Sequence, residues 1–142
     1  EGEYRSDSGA ANIVSLREGE DITLCAYGTM INNVLDAADI LAGEGISARV
    51  IKINAISPLY DSDMRSAVGK TKALLVAEEC ASVGCMGQRM AAILAWNKMS
   101  PERLELCNLG KTFPAQGSVE ALYREFGLDV ASLAKKAAEV LR

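Results

Sequence analysis

Residues 76–90 read Val76-Ala77-Glu78-Glu79-Cys80-Ala81-Ser82-Val83-Gly84-Cys85-Met86-Gly87-Gln88-Arg89-Met90. An apolar run leads into two acids, a glycine-containing segment and an apolar stripe with helical spacing, which predicts a strand, a loop and the start of a helix. Such a junction points unpaired backbone N–H groups and the positive end of the helix dipole at the space above the strand. The segment therefore indicates an α/β fold, and it marks a place where α/β domains commonly bind a ligand.

The same alternation of strands and helices runs through the whole chain. Apolar runs predict strands at 12–16, 22–27, 47–53, 73–77 and 104–109, and helical spacing predicts helices at 29–43, 61–68, 88–97, 118–126 and from 129 onward. We expect N-caps at Thr29, at Asp61 or Ser62, and at Asp129. The order predicts a mainly parallel sheet with helices on both faces. The residues alone favour a hairpin between the first two strands, turning at 17–21.

Composition and charge limit the possible partners. The chain has 142 residues, a net charge of -4 and no basic run longer than Lys135-Lys136. This pattern argues against binding to nucleic acid or to an anionic membrane surface. No apolar stretch approaches the ~18 residues of a membrane span, and no signal-peptide pattern opens the chain, so we expect a soluble, cytoplasmic protein. Residues 1–10 are polar and lack an initiator Met, so we interpret them as a linker remnant before one domain at 11–142.

The chain contains four cysteines and no histidine. Without histidine there is no Ser-His or Cys-His nucleophile pair, and the cysteines form no C-x-x-C pair with zinc-ligand spacing. We therefore expect reduced, unreactive thiols. We predict no catalytic residue, no metal ligand and no complete active site within this chain.

Several short motifs follow one another in an order typical of a known family. They are Arg17-Glu18-Gly19-Glu20-Asp21, Gly28-Thr29-Met30, residues 44–51, Ser57-Pro58-Leu59, Ala77-Glu78-Glu79, residues 84–87, Thr112-Phe113 with Gly117, and residues 122–129. Together they resemble the C-terminal domain of transketolase-like thiamine-diphosphate enzymes, over about residues 10–142. The branches most similar to the chain are 1-deoxyxylulose-5-phosphate synthase, which we favour, and the C-terminal subunit of split transketolases.

The resemblance implies a three-layer α/β/α domain with a five-stranded, mostly parallel mixed sheet of order 1-3-2-4-5, whose first strand is antiparallel. It also implies that this domain serves assembly. In the parent enzyme, thiamine diphosphate and magnesium are held by other domains or subunits, so this chain binds no cofactor itself, and the full enzyme is a homodimer. Many relatives carry histidine where this chain has Cys80, and those of the synthase type carry another where Gln116 stands. Roles tied to those imidazoles do not carry over.

In the strand order that the resemblance implies, two loops border the crevice where the sheet reverses its order, a common place for ligands. The candidate ligand-binding residues there are Gly28, Thr29, Glu79, Ser82, Gly84 and Gly87. The glycine loop fits an anion cradle, and it equally fits simple turn geometry or a contact with a partner. Adjacent Glu78 and Glu79 should point to opposite sides of the strand, which favours hydrogen bonding or interface roles over a shared acid–base role.

Two aromatic residues and the class of function leave alternatives open. Phe113, in the long connection 111–117, contacts another domain or subunit or plugs the core of its own domain. Trp96 fills the core or an interface, with stacking on a ligand as the less favoured alternative. The leading hypothesis is an assembly domain of a two-carbon transferase. The alternatives are a free-standing anion-binding module and a pure interaction subunit.

Overall fold

A computed structural model describes residues 12–142. The elements alternate along the chain as the apolar runs predict. They are β1 (Ile13–Arg17), β2 (Ile22–Ala26), α1 (Met30–Gly43), β3 (Ala48–Ile53), α2 (Asp61–Val68), β4 (Ala73–Ala77), α3 (Met86–Trp96), β5 (Arg103–Cys107), α4 (Val119–Phe126) and α5 (Val130–Val140).

The five strands form one sheet of order β1-β3-β2-β4-β5. β2 pairs in parallel with β3 and β4, and β4 pairs in parallel with β5, while β1 is antiparallel to β3. The sheet order implied by the resemblance is thus confirmed, and the hairpin between β1 and β2 is wrong.

The turn between β1 and β2 explains why the hairpin does not form. A Cβ at Gly19 would lie 2.3 Å from the carbonyl carbon of Ala48 and from the nitrogen of Arg49, so the turn passes directly over the start of β3. The backbone nitrogens of Glu20 and Asp21 both donate to the Ser47 carbonyl, at 3.1 and 2.9 Å. β3 therefore lies between the two strands that the sequence places side by side.

Helices cover both faces of the sheet and create two cores. On one face, α1 and α5 pack on Leu24, Val50 and Leu75, and α4 contributes partly buried residues. On the other face, α2 and α3 pack on a second set that includes Ile51 and Leu74. β4 is buried along its whole length, because consecutive side chains enter opposite cores. This is the expected three-layer α/β/α architecture.

The observed caps differ in part from the predicted ones. Ser118 and Asp129 cap α4 and α5 with side-chain oxygens that accept from Ala121 N and Ser132 N. Thr29 occupies the N-cap position of α1 but makes no capping hydrogen bond. The N-cap of α2 is Tyr60, not Asp61 or Ser62, and Asp63 Oδ2 accepts from the Tyr60 nitrogen at 2.9 Å.

Within residues 12–142, no helix has the length and apolar character that a bilayer span requires.

Candidate functional site

The candidate site lies at the carboxyl edge of the sheet, which we define as the edge where β2, β3, β4 and β5 end. Because these strands are parallel, the loops that follow them open on the same side of the molecule. β2 and β4 are neighbours in register, with Ala26 opposite Ala77. The turn at Gly28-Thr29 and the loop at 78–85 therefore lie next to each other, as the sheet order that the resemblance implies predicts.

The N-terminus of α3 is occupied by a carboxylate of the chain itself. Glu78 is 1% exposed. Its Oε1 accepts from Gly87 N at 2.8 Å, and its Oε2 accepts from Met86 N at 2.9 Å. These N–H groups lie in the first turn, where α/β proteins commonly bind anions. The carboxylate thus satisfies both donors and complements the helix dipole.

Gly87 makes this contact possible. A Cβ at this position would lie 2.7 Å from Leu106 Cδ2 and 2.8 Å from Glu78 Oε1. Any side chain would therefore push the carboxylate away from the helix. Gly87, a predicted ligand-binding residue, is buried beneath Glu78. Its role in the structure is to let the Glu78 carboxylate approach the backbone of α3 closely.

Glu79 points to the opposite side and is exposed, as the alternation of side chains predicts. Its Oε2 accepts from the Thr29 hydroxyl at 2.8 Å, and its Oε1 accepts from the Tyr123 hydroxyl. Partial burial and the hydrogen bond to Glu79 raise the pKa of Tyr123. Glu79 thus joins the start of α1 to α4 across the carboxyl edge.

The remaining predicted residues line the loops without forming one cluster. Gly28 and Gly84 have left-handed φ values of 58° and 76°, which favours glycine at both turns. The Gly84 nitrogen donates to Gln88 Oε1 at 3.0 Å. Among the described residues, the hydroxyl of Ser82 is the buried side-chain oxygen that has no hydrogen-bond partner. Of the six residues, the structure brings Thr29 and Glu79 into direct contact, and ligand binding by the set stays a prediction.

The cysteines are free thiols, in agreement with the expectation. Burial is the largest cause of the raised pKa at each of them, and the pKa of Cys80 rises to about 11 and that of Cys107 to about 12. Cys80 also lies beside the Glu78 carboxylate, which adds to its shift. A thiol held protonated near neutral pH is a poor nucleophile and a poor metal ligand.

A small cavity opens beside these thiols. It has a volume of about 320 Å³, and its lining includes Tyr27, Cys80, Val83 and Arg89. Across residues 12–142, no three His, Cys, Asp or Glu side chains are grouped closely enough to hold a metal ion.

Large apolar side chains are exposed on the loops of the carboxyl edge. Phe113 is 100% exposed, Val83 75%, Tyr60 55% and Ile56 47%. Phe113 therefore does not plug the core, and that alternative is wrong. Trp96, at the end of α3, is 89% exposed and is not a core residue either.

Sequence reasoning missed two features of this site. The first is the cap formed by Glu78, for which the available signal was the acid at the end of a buried strand with a glycine nine residues later. The second is the role of Tyr123, which carries no local signal because its partner Glu79 is distant in sequence. The exposure of Ile56 and Val83 was also not predicted.

Comparison with known proteins agrees with the fold. The family model for the transketolase C-terminal domain matches residues 9–133. A 6-deoxy-6-sulfo-D-fructose transketolase subunit of Clostridium sp. is 33% identical over 125 residues, which are 88% of this chain and 38% of that protein. The 1-deoxy-D-xylulose-5-phosphate synthase of Desulforudis audaxviator is 33% identical over 115 residues, 81% of this chain and 18% of that enzyme.

A solved structure described as a split gene transketolase, inactive beta4 tetramer, is 27% identical, with a TM-score of 0.78 over 91% of this chain and 42% of that one. The chain thus spans 18% to 42% of the length of these proteins. The match to the family model covers most of the chain, and the observed sheet order is the one that the resemblance implies. The chain belongs to the transketolase C-terminal domain family.

Proposed function

We propose that this chain is the C-terminal assembly domain of a thiamine-diphosphate-dependent enzyme that transfers a two-carbon ketol unit, and that it does no chemistry by itself. The observation that carries the proposal is the contact between Glu78 and the N-terminus of α3. The carboxylate occupies the helix N-terminus that would bind a diphosphate in many α/β folds. These backbone N–H donors of the carboxyl edge are thus used to hold this domain together.

The relatives support a parent of this class. Their printed names include a transketolase subunit, a putative transketolase C-terminal section and a 1-deoxy-D-xylulose-5-phosphate synthase, and the family of the parent is thiamine-diphosphate dependent. We place the parent in the synthase branch, as the resemblance favours. The C-terminal subunit of a split transketolase is the second candidate, because a transketolase subunit matches over 88% of this chain.

In this proposal, the cofactor and its magnesium ion lie on other domains or subunits of the parent, which works as a homodimer in the cytoplasm. Thiamine diphosphate would supply the carbanion chemistry there. The role of this chain is to present a preformed surface. The exposure of Phe113 and Val83 supports this role, because large exposed apolar side chains often mark contacts between proteins.

One observation favours a different class of function. The Ser82 hydroxyl is buried without a hydrogen-bond partner, and Gly28 and Gly84 give the loops on either side of the crevice a left-handed backbone conformation. These features fit a small-anion module. A titration with inorganic phosphate tests this alternative, which requires saturable shifts of the amide signals of Gly28 and Gly84.

The test of the assembly role compares the chain alone with the rest of its parent. We expect no heat of binding when thiamine diphosphate is titrated into the isolated chain, and no ketol transfer. We expect transfer activity only when the cofactor-binding domains are present, and a loss of that activity when residues 12–142 are deleted. Tight binding of thiamine diphosphate by the isolated chain would overturn the proposal, as would full activity of the deleted enzyme.

A further inference from the structure

Four exposed apolar side chains share the carboxyl edge of the sheet. We call them the edge patch, and they are Ile56, Tyr60, Val83 and Phe113. Ile56 and Tyr60 follow β3, Val83 follows β4 and Phe113 follows β5. With strands about 4.8 Å apart, the loops of the patch cross most of the width of the sheet.

Hydrogen bonds between loops hold much of the patch in place. Ser82 N donates to the Gly110 carbonyl at 2.8 Å, and Leu109 N donates to the Cys80 carbonyl at 3.0 Å, so the loops after β4 and β5 are joined. Arg89 donates to the Ile56 carbonyl at 3.0 Å, which links α3 to the loop after β3. A surface fixed in this way loses little conformational entropy when a partner binds.

The chain enters the described fold at this same edge. β1 is antiparallel to β3, so its first residue, Ile13, lies opposite Ile53, the last residue of β3. Just before it, the Asn12 side chain donates to the Pro58 carbonyl at 3.3 Å and to Asp63 Oδ2 at 3.0 Å. The entry point is thus bonded to the loop that carries Ile56 and Tyr60.

We propose that the edge patch is the docking surface for the polypeptide that precedes this domain in its parent enzyme. The inference rests on the proposed function and adds the surface and the occupant to it. The relatives support this occupant, because the matched family model describes a C-terminal domain and the chain covers 38% of the transketolase subunit, so most of that relative lies outside the matched region. A folded unit joined near Asn12 is held beside the patch at an effective concentration that reaches the millimolar range for short linkers.

The geometry favours this occupant over a second copy of the chain. A second copy has to find the patch from solution, whereas the preceding polypeptide is tethered beside it through the entry point at Asn12. The surface of that occupant should be largely apolar where it meets Val83 and Phe113, because burying a charge against them without a partner is costly.

The test uses the complete polypeptide that contains this chain, or the mixed subunits where the two sections are encoded separately. Hydrogen exchange of the amides at 54–60, 80–84 and 111–117 is compared between that enzyme and the isolated chain. We expect at least tenfold slower exchange of these segments in the enzyme. Phe113→Asp should weaken association with the preceding polypeptide at least tenfold, and Phe113→Leu should largely restore it.

Trp96→Asp is the matched control. Trp96 is a similarly exposed aromatic residue, but it lies ten residues along α3, about 15 Å from the start of that helix. This variant should associate normally. Circular dichroism of each variant checks that the fold is intact, which is expected because both side chains are exposed.

The outcomes separate this inference from the proposed function. An active, assembled enzyme with unprotected loops and a normal Phe113→Asp variant would overturn the inference and leave the assembly role standing. Protection that appears in the isolated chain and grows with its concentration would assign the patch to a second copy instead. No association with the cofactor-binding section would overturn both.

Discussion

Replacing the buried Glu78 carboxylate tests the main structural conclusion. In Glu78→Gln, the side chain keeps its shape, but one oxygen becomes an NH₂ group that faces a backbone N–H donor. One hydrogen bond to a charged acceptor is lost, which costs about 1.5–3 kcal/mol, and the attraction of the carboxylate to the helix dipole adds about 0.5–1 kcal/mol. We therefore expect a loss of roughly 2–4 kcal/mol of folding free energy.

The assay is urea unfolding at pH 7, followed by far-ultraviolet circular dichroism. Glu79→Gln is the matched control, since Glu79 is exposed and adjacent in the chain. The control should lose less than about 1 kcal/mol, because exposed polar contacts contribute little. Equal losses in the two variants, or a loss below about 0.5 kcal/mol for Glu78→Gln, would refute the conclusion that this carboxylate anchors α3.

Three further predictions test other parts of the structure. Gly19→Ala should lose about 3 kcal/mol in the same unfolding assay, because the added Cβ meets the β3 backbone and not a flexible side chain; a loss below about 0.5 kcal/mol would contradict the tight turn. Cys80, with a pKa of about 11, should react with iodoacetamide at pH 8 roughly 100-fold more slowly than a thiol of pKa 9. Its reaction rate should rise tenfold per pH unit up to about pH 11. A rate that levels off near pH 9 would contradict the raised pKa. Burial raises the pKa of Asp129, but the hydrogen bonds that its carboxylate accepts, first among them those from Ser132, outweigh burial and leave that pKa below its usual 3.8. The cap therefore stabilises the fold above about pH 4, and its contribution should disappear as the pH falls through the lowered pKa. In urea unfolding, Asp129→Asn should lack that part of the acid dependence.

Much of the fold could be predicted because local patterns and packing agree. The run Ala73–Ala77 is apolar without interruption, and the structure buries it between two helical layers. Gly69 and Gly127 end helices where the sequence places them. Each of these features is decided within a few residues, so sequence pattern alone is sufficient to place it.

The sheet order could not be predicted from the residues in the same way. Pairing of β1 with β3 depends on the close approach of Gly19 to Ala48, which joins residues far apart in the chain. A short turn between two apolar runs is equally compatible with a hairpin, which is why the residues alone favour the wrong pairing. The resemblance supplied the correct order because it carries this long-range information.

Where the candidate residues lie in the fold could be predicted, but the contacts that they make could be predicted only in part. Alternation along the strand correctly separates Glu78 from Glu79, but it does not say which of the two faces the helix. That choice depends on which face of β4 packs on α3: Glu78 continues the face of Leu74 and Val76, and Gly87 leaves room there for its carboxylate. The bond between Glu79 and Tyr123 depends on where α4 packs, and no local pattern determines that.

The two acids together explain why this edge suits a docking role. Glu78 satisfies N–H groups at the start of α3, and Glu79 joins Thr29 to Tyr123, so both charges are engaged within the domain. A phosphate approaching this loop would meet two carboxylates and a helix end whose first donors are already bonded. Separate backbone hydrogen bonds, from Ser82 N to the Gly110 carbonyl and from Leu109 N to the Cys80 carbonyl, join the loops from which Val83 and Phe113 project. An edge whose two acids are already engaged and whose loops are bonded to one another is therefore unfavourable for an anion and better suited to an apolar partner.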